Sequence, residues 1–319
     1  MGSSVTTVSF SRRATVLWLL TGAIITGLLA TMVVSGIGLL PIIAEVGFLV
    51  LHGTWRYGWR AVAVFVGGGL TISLLLENLS IITGFPFGHY HYTGDGTFLY
   101  VPWYIGPGYL ATGYLAWVVA TIVFADVHRH SSWLTTIGTP VVGAFAMTAW
   151  DLAMDPTSST INEWWIWENG GGFFGVPLSN FLGWTFTVYL FMQVFALYLR
   201  QRGPALPVFP ARITGDLTAV ILYAATTLTF VNNYLTRERV PVTDPSGTTW
   251  HTGDIYESSL LLAVYGMLFF ALLATLRIAQ RRVDVGPIRR AGTDHAREPA
   301  VPDPALVPGF RAQASGSGS

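Results

Sequence analysis

The chain contains neither cysteine nor lysine, and it carries few charges of any kind. Without cysteine it forms no disulfide and has no thiolate for catalysis or metal binding. All 17 basic residues are arginine, which excludes a retinal Schiff base and a lysine nucleophile. Only 11% of the 319 residues are charged, against about 25% in a typical soluble domain. The sequence therefore does not fit an ordinary soluble enzyme.

The signatures of nucleotide-binding proteins and of serine hydrolases are absent as well. The sequence has no glycine-rich phosphate loop, no dinucleotide fingerprint and no Gly-x-Ser-x-Gly elbow. The formal net charge is zero, and nothing in the sequence suggests a nucleic-acid partner.

Long apolar runs recur along almost the whole chain, which is 52% hydrophobic. This pattern predicts an all-α fold, a polytopic membrane helix bundle of about eight transmembrane helices. The predicted spans cover residues 14–35, 38–56, 61–83, 102–125, 133–155, 176–199, 213–235 and 255–278. They divide the chain into a cytoplasmic segment over residues 1–13, a bundle over residues 14–282 and a tail over residues 283–319. The tail is rich in Pro, Ala, Arg and small polar residues, which predicts disorder, and its final SGSGS resembles an artificial linker.

The arginines predict the orientation of this bundle. In an eight-span topology, 11 arginines near the membrane fall on one side and only two, Arg237 and Arg239, fall on the other. The eleven are Arg12, Arg13, Arg56, Arg60, Arg129, Arg200, Arg202, Arg212, Arg277, Arg281 and Arg282. Because basic residues favour the cytoplasmic side, we expect both termini to be cytoplasmic, with the chain in the cell membrane.

Spans three to six contain a weak internal repeat. Val101-Pro102, Gly108 and Tyr114 recur 75 positions later as Val176-Pro177, Gly183 and Tyr189. Glu77 matches Asp151 at an offset of 74. Both units are hairpins that start on the same side of the membrane, so the sequence predicts a parallel repeat of spans 3–4 and 5–6.

Carboxylic acids lie at unusual places in this apolar sequence. Asp151 and Asp155 are four residues apart at the end of the fifth span, a spacing that puts both on one helix face. Pro156 follows and predicts the end of that helix, while Pro177 suits the first turn of the next one. Glu77 lies at a similar depth in the outer half of span three, and Glu45 lies nearer to mid-depth.

An intramembrane acid is costly, and it usually faces the bundle interior or a cavity. No arginine lies at a matching depth to neutralise these acids, and burial without a cation disfavours the ionised form. We therefore expect part of the cluster to be protonated at neutral pH, which is the state that a general acid needs.

Each of these features also has a structural interpretation. Glu77 could bond to a serine on its own helix face, and the two aspartates could be a structural pair with Asp155 capping the turn at Pro156. The tryptophans of the following loop, Trp164, Trp165 and Trp167, could form an interfacial aromatic belt.

Histidines raise the question of a metal. Of the seven, only His89, His91 and His251 fall on the side of the acids. Zinc and iron sites need three or four converging ligands, so we expect no metal at the site.

Three motifs together resemble the membrane-bound carotenoid hydratase family. They are E77-N78 with GFPFGHYHYT, then WDLAMDP, and then FFGVPLSNFLGW. The family includes carotenoid 1,2-hydratases and bisanhydrobacterioruberin hydratases, and the resemblance extends from about span two to span eight. It implies a multi-pass enzyme that adds water to the terminal isoprenoid double bond of an acyclic carotenoid, giving a tertiary alcohol without a cofactor. Bisanhydrobacterioruberin, lycopene and γ-carotene are the types of substrate that it implies.

Hydration of such an alkene needs an acid, a pocket that tolerates a cation, and a positioned water. The candidate catalytic residues are Glu77, Asp151 and Asp155. The candidate substrate-binding residues are Glu45, Asn78, His89, Tyr90, Tyr92, Trp150, Asn180, Trp184 and Asn232. Aromatic faces can stabilise the cation, and a second carboxylate or Asn180 can orient the water.

The expected partners are a long apolar carotenoid, water, membrane lipid and other membrane enzymes of the pathway. Two alternatives remain at this point. One is a carotenoid- or lipid-binding scaffold or transporter, and the other is a metal-dependent membrane hydroxylase. Crowding of the polar groups into one half of the membrane disfavours a transporter, which needs them on both sides of the midplane.

Overall fold

The computed structural model describes residues 12–34, 39–204 and 213–294. The chain divides into a first unit, residues 1–279, and a second unit, residues 280–319. The helices are α1 Arg12–Thr31, α2 Leu39–Tyr57, α3 Trp59–Thr83, α4 Ile105–Val123, α5 Trp133–Pro156, α6 Leu178–Arg202, α7 Ile213–Ala225, α8 Leu228–Thr236, α9 Thr252–Leu262 and α10 Leu268–Asp294. The strands are β1 Tyr90–Tyr92, β2 Thr97–Phe98, β3 Val101–Pro102, β4 Trp165–Trp167, β5 Pro241–Thr243 and β6 Thr249–His251. Two five-residue π-helical turns, Thr157–Ile161 and Ala263–Met267, follow α5 and α9.

The predicted all-α polytopic bundle is confirmed. Among the described residues, eight helical segments are long and apolar enough to cross a membrane. They are Arg12–Thr31, Leu39–Tyr57, Trp59–Thr83, Ile105–Val123, Trp133–Ile161, Leu178–Arg202, Ile213–Thr236 and Thr252–Val283. The fifth is longer than predicted, because the chain continues past Pro156 as a π-helical turn. Pro177 lies at the N-cap of α6, one residue before the first turn in which the sequence predicted it.

Helix α4 forms the centre of the bundle. It packs against α2, α3, α5 and α7, and most of its side chains are buried. Its small residues permit this close packing: a Cβ atom added at Gly113 would lie 3.0 Å from Cζ of Phe191. Trp117 fills the interior beside Phe195, with ring centroids 5.0 Å apart.

The hairpins α3–α4 and α5–α6 form the predicted repeat. α3 packs against α6 and α4 against α5, so each hairpin contacts the other in the same crossed manner. Strand β1 precedes α4 and β4 precedes α6, and the two strands pair antiparallel. The connections 84–104, 162–177 and 237–251 all lie on one face of the eight-span bundle, which we call the lid face.

One arginine used to predict orientation belongs to a buried ionic cluster. Arg56 donates from Nη1 to Oδ1 of Asp216 at 2.5 Å and from Nη2 to Oδ1 of Asp126 at 2.8 Å. Nη2 also donates to Thr121 at 2.9 Å. This cluster joins α2, α4 and α7 near the face opposite the lid face. Asp216 lies in the first turn of α7.

The predicted tail is only partly described. Helix α10 continues to Asp294, past the boundary that the sequence placed at residue 283. Residues 295–319 lie outside the described residues, and disorder of the tail stays a prediction.

Candidate functional site

Two short strands cover the lid-face end of the repeat hairpins. β1 and β4 pair with Tyr90 opposite Trp167 and Tyr92 opposite Trp165. Because side chains alternate along a strand, these four aromatic residues share one face of the pair. That face is turned inward: Tyr90 is 3% exposed and Trp167 4%. We call this strand pair the lid sheet.

Three phenols of this region meet one carboxyl group. Glu77 of α3 is buried, and its Oε2 accepts hydrogen bonds from Tyr90 and from Tyr92, the latter at 3.0 Å. Its Oε1 accepts a hydrogen bond of 2.6 Å from Tyr109 of α4. Burial, and then the negative charge of Glu77, raise the pKa values of Tyr90 and Tyr92 well above the usual range. Both phenols therefore keep their protons.

A second carboxyl group is surrounded by donors of another kind. Oδ1 of Asp155 accepts from Nε1 of Trp165 at 3.0 Å and from Nε1 of Trp167 at 3.4 Å. Nδ2 of Asn180 donates to Oδ2 of Asp155 at 2.6 Å and to Oδ2 of Asp151 at 3.1 Å. Asn180 therefore joins the two aspartates. Oδ1 of Asp151 is buried and has no hydrogen-bond partner in the described part of the chain.

Glu77 and Asp155 line one cavity, which we call the acid cavity. Its volume is about 180 Å³, and its walls are mostly aromatic. The lining residues are Ile42, Glu77, Phe87, Tyr90, Tyr92, Tyr104, Ile105, Gly108, Tyr109, Trp150, Met154, Asp155, Trp164, Trp165, Trp167, Asn180 and Trp184. Pockets that enclose a drug-sized ligand measure about 300–1,000 Å³. The acid cavity therefore fits the end of a long molecule and not its whole length.

The partly exposed lining residues define the opening of the acid cavity. Ile42 of α2, Ile105 and Gly108 of α4, and Met154 of α5 all lie at least partly exposed on membrane-spanning segments. A Cβ atom added at Gly108 would meet no atom within 4 Å. Trp164 of the lid-face connection, which is 55% exposed, also lines the cavity, so exposed lining residues occur both on the spans and at the lid face.

The structure brings most of the predicted site residues together. Glu77, Asp155, Tyr90, Tyr92, Trp150, Asn180 and Trp184 line the acid cavity, and Asp151 lies directly behind Asn180. Five predicted residues are not part of the lining: Asp151, Glu45, Asn78, His89 and Asn232. Asn78 donates to the carbonyl of Leu74 and accepts from the backbone N–H of Tyr100. His89 packs against Gly84, and Glu45 is buried in α2.

Sequence reasoning missed three donors to the acids. Tyr109 was not singled out, and Trp165 and Trp167 were given only a possible place in an interfacial belt. That interpretation fits Trp164, which is 55% exposed, but not its two buried neighbours. The repeat could have pointed to these donors. At the offset of 75 residues, Tyr90, Tyr92 and Tyr109 in the first hairpin correspond to Trp165, Trp167 and Trp184 in the second. Tyr109 and Trp184 stack face to face, with ring centroids 4.3 Å apart and an angle of 3° between the rings.

No three His, Asp or Glu side chains converge within residues 12–34, 39–204 and 213–294 in a way that could hold a metal. The metal-free site stays a prediction, to be settled by activity after chelation.

These features define a class: a multi-spanning membrane protein with two acids enclosed beneath an aromatic lid. The model of the carotenoid biosynthesis protein family matches residues 37–243, which include the acid cavity and both hairpins of the repeat. The chain belongs to this family, and its role is in carotenoid biosynthesis. No significant match was found among curated proteins or among solved structures.

Proposed function

We propose that this protein is a carotenoid hydratase, which adds water to the terminal isoprenoid double bond of an acyclic carotenoid. One observation carries the proposal: two carboxyl groups from different helices face one small, mostly aromatic cavity. The family gives the class of substrate, and the cavity volume suits one chain end. The remaining polyene would lie outside the opening, along the lipid-facing surface of the helices.

The proton donor in this proposal is Asp155. Asp151 and Asp155 are joined through one amide and have no cation beside them, so the pair holds a proton between them. Oδ1 of Asp155 accepts from two indole N–H groups, which cannot themselves accept a proton. The transferable proton is therefore on Oδ2 of Asp155 or on Asp151. Asp155 delivers it, because this member of the pair lines the cavity.

The addition then proceeds in two steps. The proton from Asp155 forms a C–H bond at the less substituted alkene carbon, and the other carbon becomes a tertiary cation. The faces of Trp184 and Trp150, whose ring centroids are 6.1 Å apart, stabilise that charge. The oxygen of a water molecule bonds to the cation, and its surplus proton passes to Glu77. Water in the cavity returns the proton to the aspartate pair, so the net reaction is alkene plus water to alcohol.

The test follows the source of the oxygen atom. Purified protein is incubated with lycopene or bisanhydrobacterioruberin in H2(18)O without added cofactor. The mass of the product is then measured by mass spectrometry. We expect one heavy oxygen per hydrated end. Oxygen taken only from O2 would identify a hydroxylase instead, and carotenoid retained without any product would identify a binding scaffold.

Orientation belongs to the same proposal, with both termini cytoplasmic and the lid face outside. Single cysteines replacing Asp95 on the lid face and Arg129 on the opposite face are both exposed and suit labelling in intact cells. We expect an impermeant maleimide to label the first and spare the second. Labelling of the second alone would reverse the topology.

A further inference from the structure

A second cavity, separate from the acid cavity, opens on the lid face. Its volume is about 520 Å³, and it shares no lining residue with the acid cavity. It lies between the π-helical turn after α5, the end of α8 and the start of α9. Its lining residues are Thr157, Ile161, Asn162, Asn233, Thr236, Arg237, Glu238, Val240, Thr252 and Tyr256.

The polar groups of the two cavities differ in their hydrogen bonding. In the acid cavity, both carboxyl groups accept bonds from protein donors. In the second cavity, the side chains of Asn162, Asn233, Arg237 and Tyr256 make no hydrogen bond or ion pair with any described residue. Tyr256 is 7% exposed, whereas Asn162 and Arg237 are exposed. The hydroxyl of Thr157, which also lines the cavity, is buried without a hydrogen-bond partner in the described part of the chain. One buried unpaired hydroxyl and several solvated donors around one space together favour a polar ligand.

The depth of the second cavity indicates what kind of ligand reaches it. Three membrane-spanning segments end or begin within its lining, at Ile161, Thr236 and Thr252. The cavity therefore lies at the boundary between the hydrocarbon and the aqueous layer, where lipid headgroups are found.

Its donors indicate the chemistry. The guanidinium of Arg237, the amides of Asn162 and Asn233 and the hydroxyl of Tyr256 supply several N–H and O–H groups around one positive charge. A guanidinium suits the oxygens of a phosphate group, which it can bind through two parallel bonds. Glu238 is an exposed lining residue of this second cavity. Its carboxylate would lie beside the outer part of a bound headgroup and would favour a headgroup that carries a positive charge there.

We propose that the second cavity binds the phosphodiester headgroup of a membrane phospholipid. The wall that presents Arg237 is held in place by Thr252, whose hydroxyl donates to the carbonyl of Glu238 at 2.9 Å and accepts from the N–H of Val240 at 2.9 Å. A bound lipid would join three spans at their lid-face ends. Its acyl chains would lie in the bilayer beside α8 and α9.

The experiment compares two arginines of the same connection. Arg237→Gln removes the cation from the cavity. Arg239→Gln removes a cation outside the cavity. The guanidinium of Arg239 stacks on the ring of Tyr234, with 5.2 Å between its Cζ atom and the ring centroid. Tyr256→Phe removes the hydroxyl of a lining residue at almost constant volume, and Tyr265→Phe, at a 76% exposed position, is its control. Native mass spectrometry of the delipidated protein titrated with phosphatidylethanolamine gives the affinity of one lipid per chain.

We expect affinity to fall about 10- to 100-fold for Arg237→Gln and about tenfold for Tyr256→Phe, with both controls unchanged. A phosphate-free glucosyl diacylglycerol should not compete. Competition by inorganic phosphate at millimolar concentration would assign the site to free phosphate instead of lipid. Equal phospholipid affinity in Arg237→Gln, Tyr256→Phe and wild type would overturn the proposal, and so would equally tight binding of the glucosyl lipid.

Discussion

The two hairpins of the repeat present an acid to the same cavity, but they surround it with different donors. Glu77 in the first hairpin accepts three bonds from phenols. Asp155 in the second accepts bonds from two indoles and one amide. A phenol both donates and accepts, whereas an indole N–H only donates. The Glu77 side can therefore pass protons through its partners, and the Asp155 side holds its carboxyl group in one geometry.

The acids themselves are not at equivalent positions. A shift of 75 residues places Asp155 over Ser80, a buried serine whose hydroxyl donates to the carbonyl of Gly88 at 2.9 Å. Asp155 thus lies almost one helical turn nearer to the lid sheet than the counterpart of Glu77. The two hairpins thus present different donors around acids at different heights. In the proposed mechanism, the proton donor, Asp155, and the base, Glu77, belong to different hairpins.

The largest expected effect comes from removing either acid. Glu77→Gln and Asp155→Asn should each lower turnover about 10²- to 10⁴-fold, the usual contribution of general acid–base catalysis. Glu45→Gln is the matched control, since Glu45 is a buried acid outside the cavity lining. Product formation, monodispersity and carotenoid binding are measured together. If both cavity variants stay folded and near wild-type activity, the assignment of the acids is wrong.

The next largest loss of activity should come from blocking the substrate's access to the acid cavity. Gly108→Leu places a side chain in the open space at the cavity opening. Crowding of this kind costs roughly 1–3 kcal/mol, so we expect about 10- to 100-fold weaker carotenoid binding and a similar loss of turnover. Gly67→Leu on α3 is the control, because a Cβ atom there also meets nothing within 4 Å, and Gly67 does not line the cavity. Unchanged binding in the Gly108 variant would place the substrate elsewhere.

The sequence was sufficient to predict the bundle, because membrane spans follow from length and hydropathy alone. It also singled out both acids of the cavity, since an acid in an apolar span stands out without any structure. It could not predict which aromatic residues bond to which acid. Tyr90 and Trp167 are 77 residues apart, and only the pairing of β1 with β4 brings them together. The partner of Arg56 was hidden for the same reason, because Asp216 lies 160 residues further along the chain.

A smaller loss of turnover should distinguish the phenol donors to Glu77 from the indole donors to Asp155. Tyr109→Phe removes the phenol on Oε1 of Glu77, and Trp165→Phe removes the shorter of the two indole bonds to Asp155. A hydrogen bond to a charged group contributes about 1.5–3 kcal/mol, so each variant should lose about tenfold or more in turnover. If phenols carry protons, only Tyr109→Phe should also change the solvent deuterium isotope effect. Tyr100→Phe, at a 55% exposed position, is the control. Identical isotope effects in all variants would remove the proposed difference between the halves.

The smallest effect on activity is expected at a third acid with similar donors, which lies outside the spans. Asp244, between β5 and β6, accepts from Nε1 of Trp250 at 2.8 Å and from the N–H groups of Ser246 and Thr248 at 2.9 and 3.0 Å. The hydroxyl of Ser246 also donates to Oδ1 of Asp244, at 2.5 Å. Burial alone would raise the pKa of Asp244, but the hydrogen bonds, first that from the Ser246 hydroxyl and then that from Trp250, outweigh burial and lower the pKa below the usual 3.8. An acid whose pKa is lower in the folded state stabilises the fold above its unfolded pKa. That contribution disappears as the pH falls through the folded value.

Asp244→Asn should therefore lower the thermal stability of the protein at neutral pH, by about 1–3 kcal/mol, and should leave turnover unchanged. The difference in melting temperature between variant and wild type should be constant above about pH 5 and should shrink below pH 3.8, where the wild-type carboxyl group takes up its proton. Asp254→Asn, in the first turn of α9, is the control on the same face. A loss of turnover in Asp244→Asn would contradict the comparison. An acid in the β5–β6 connection, outside the acid cavity, would then matter for a reaction whose proton transfers we place in that cavity.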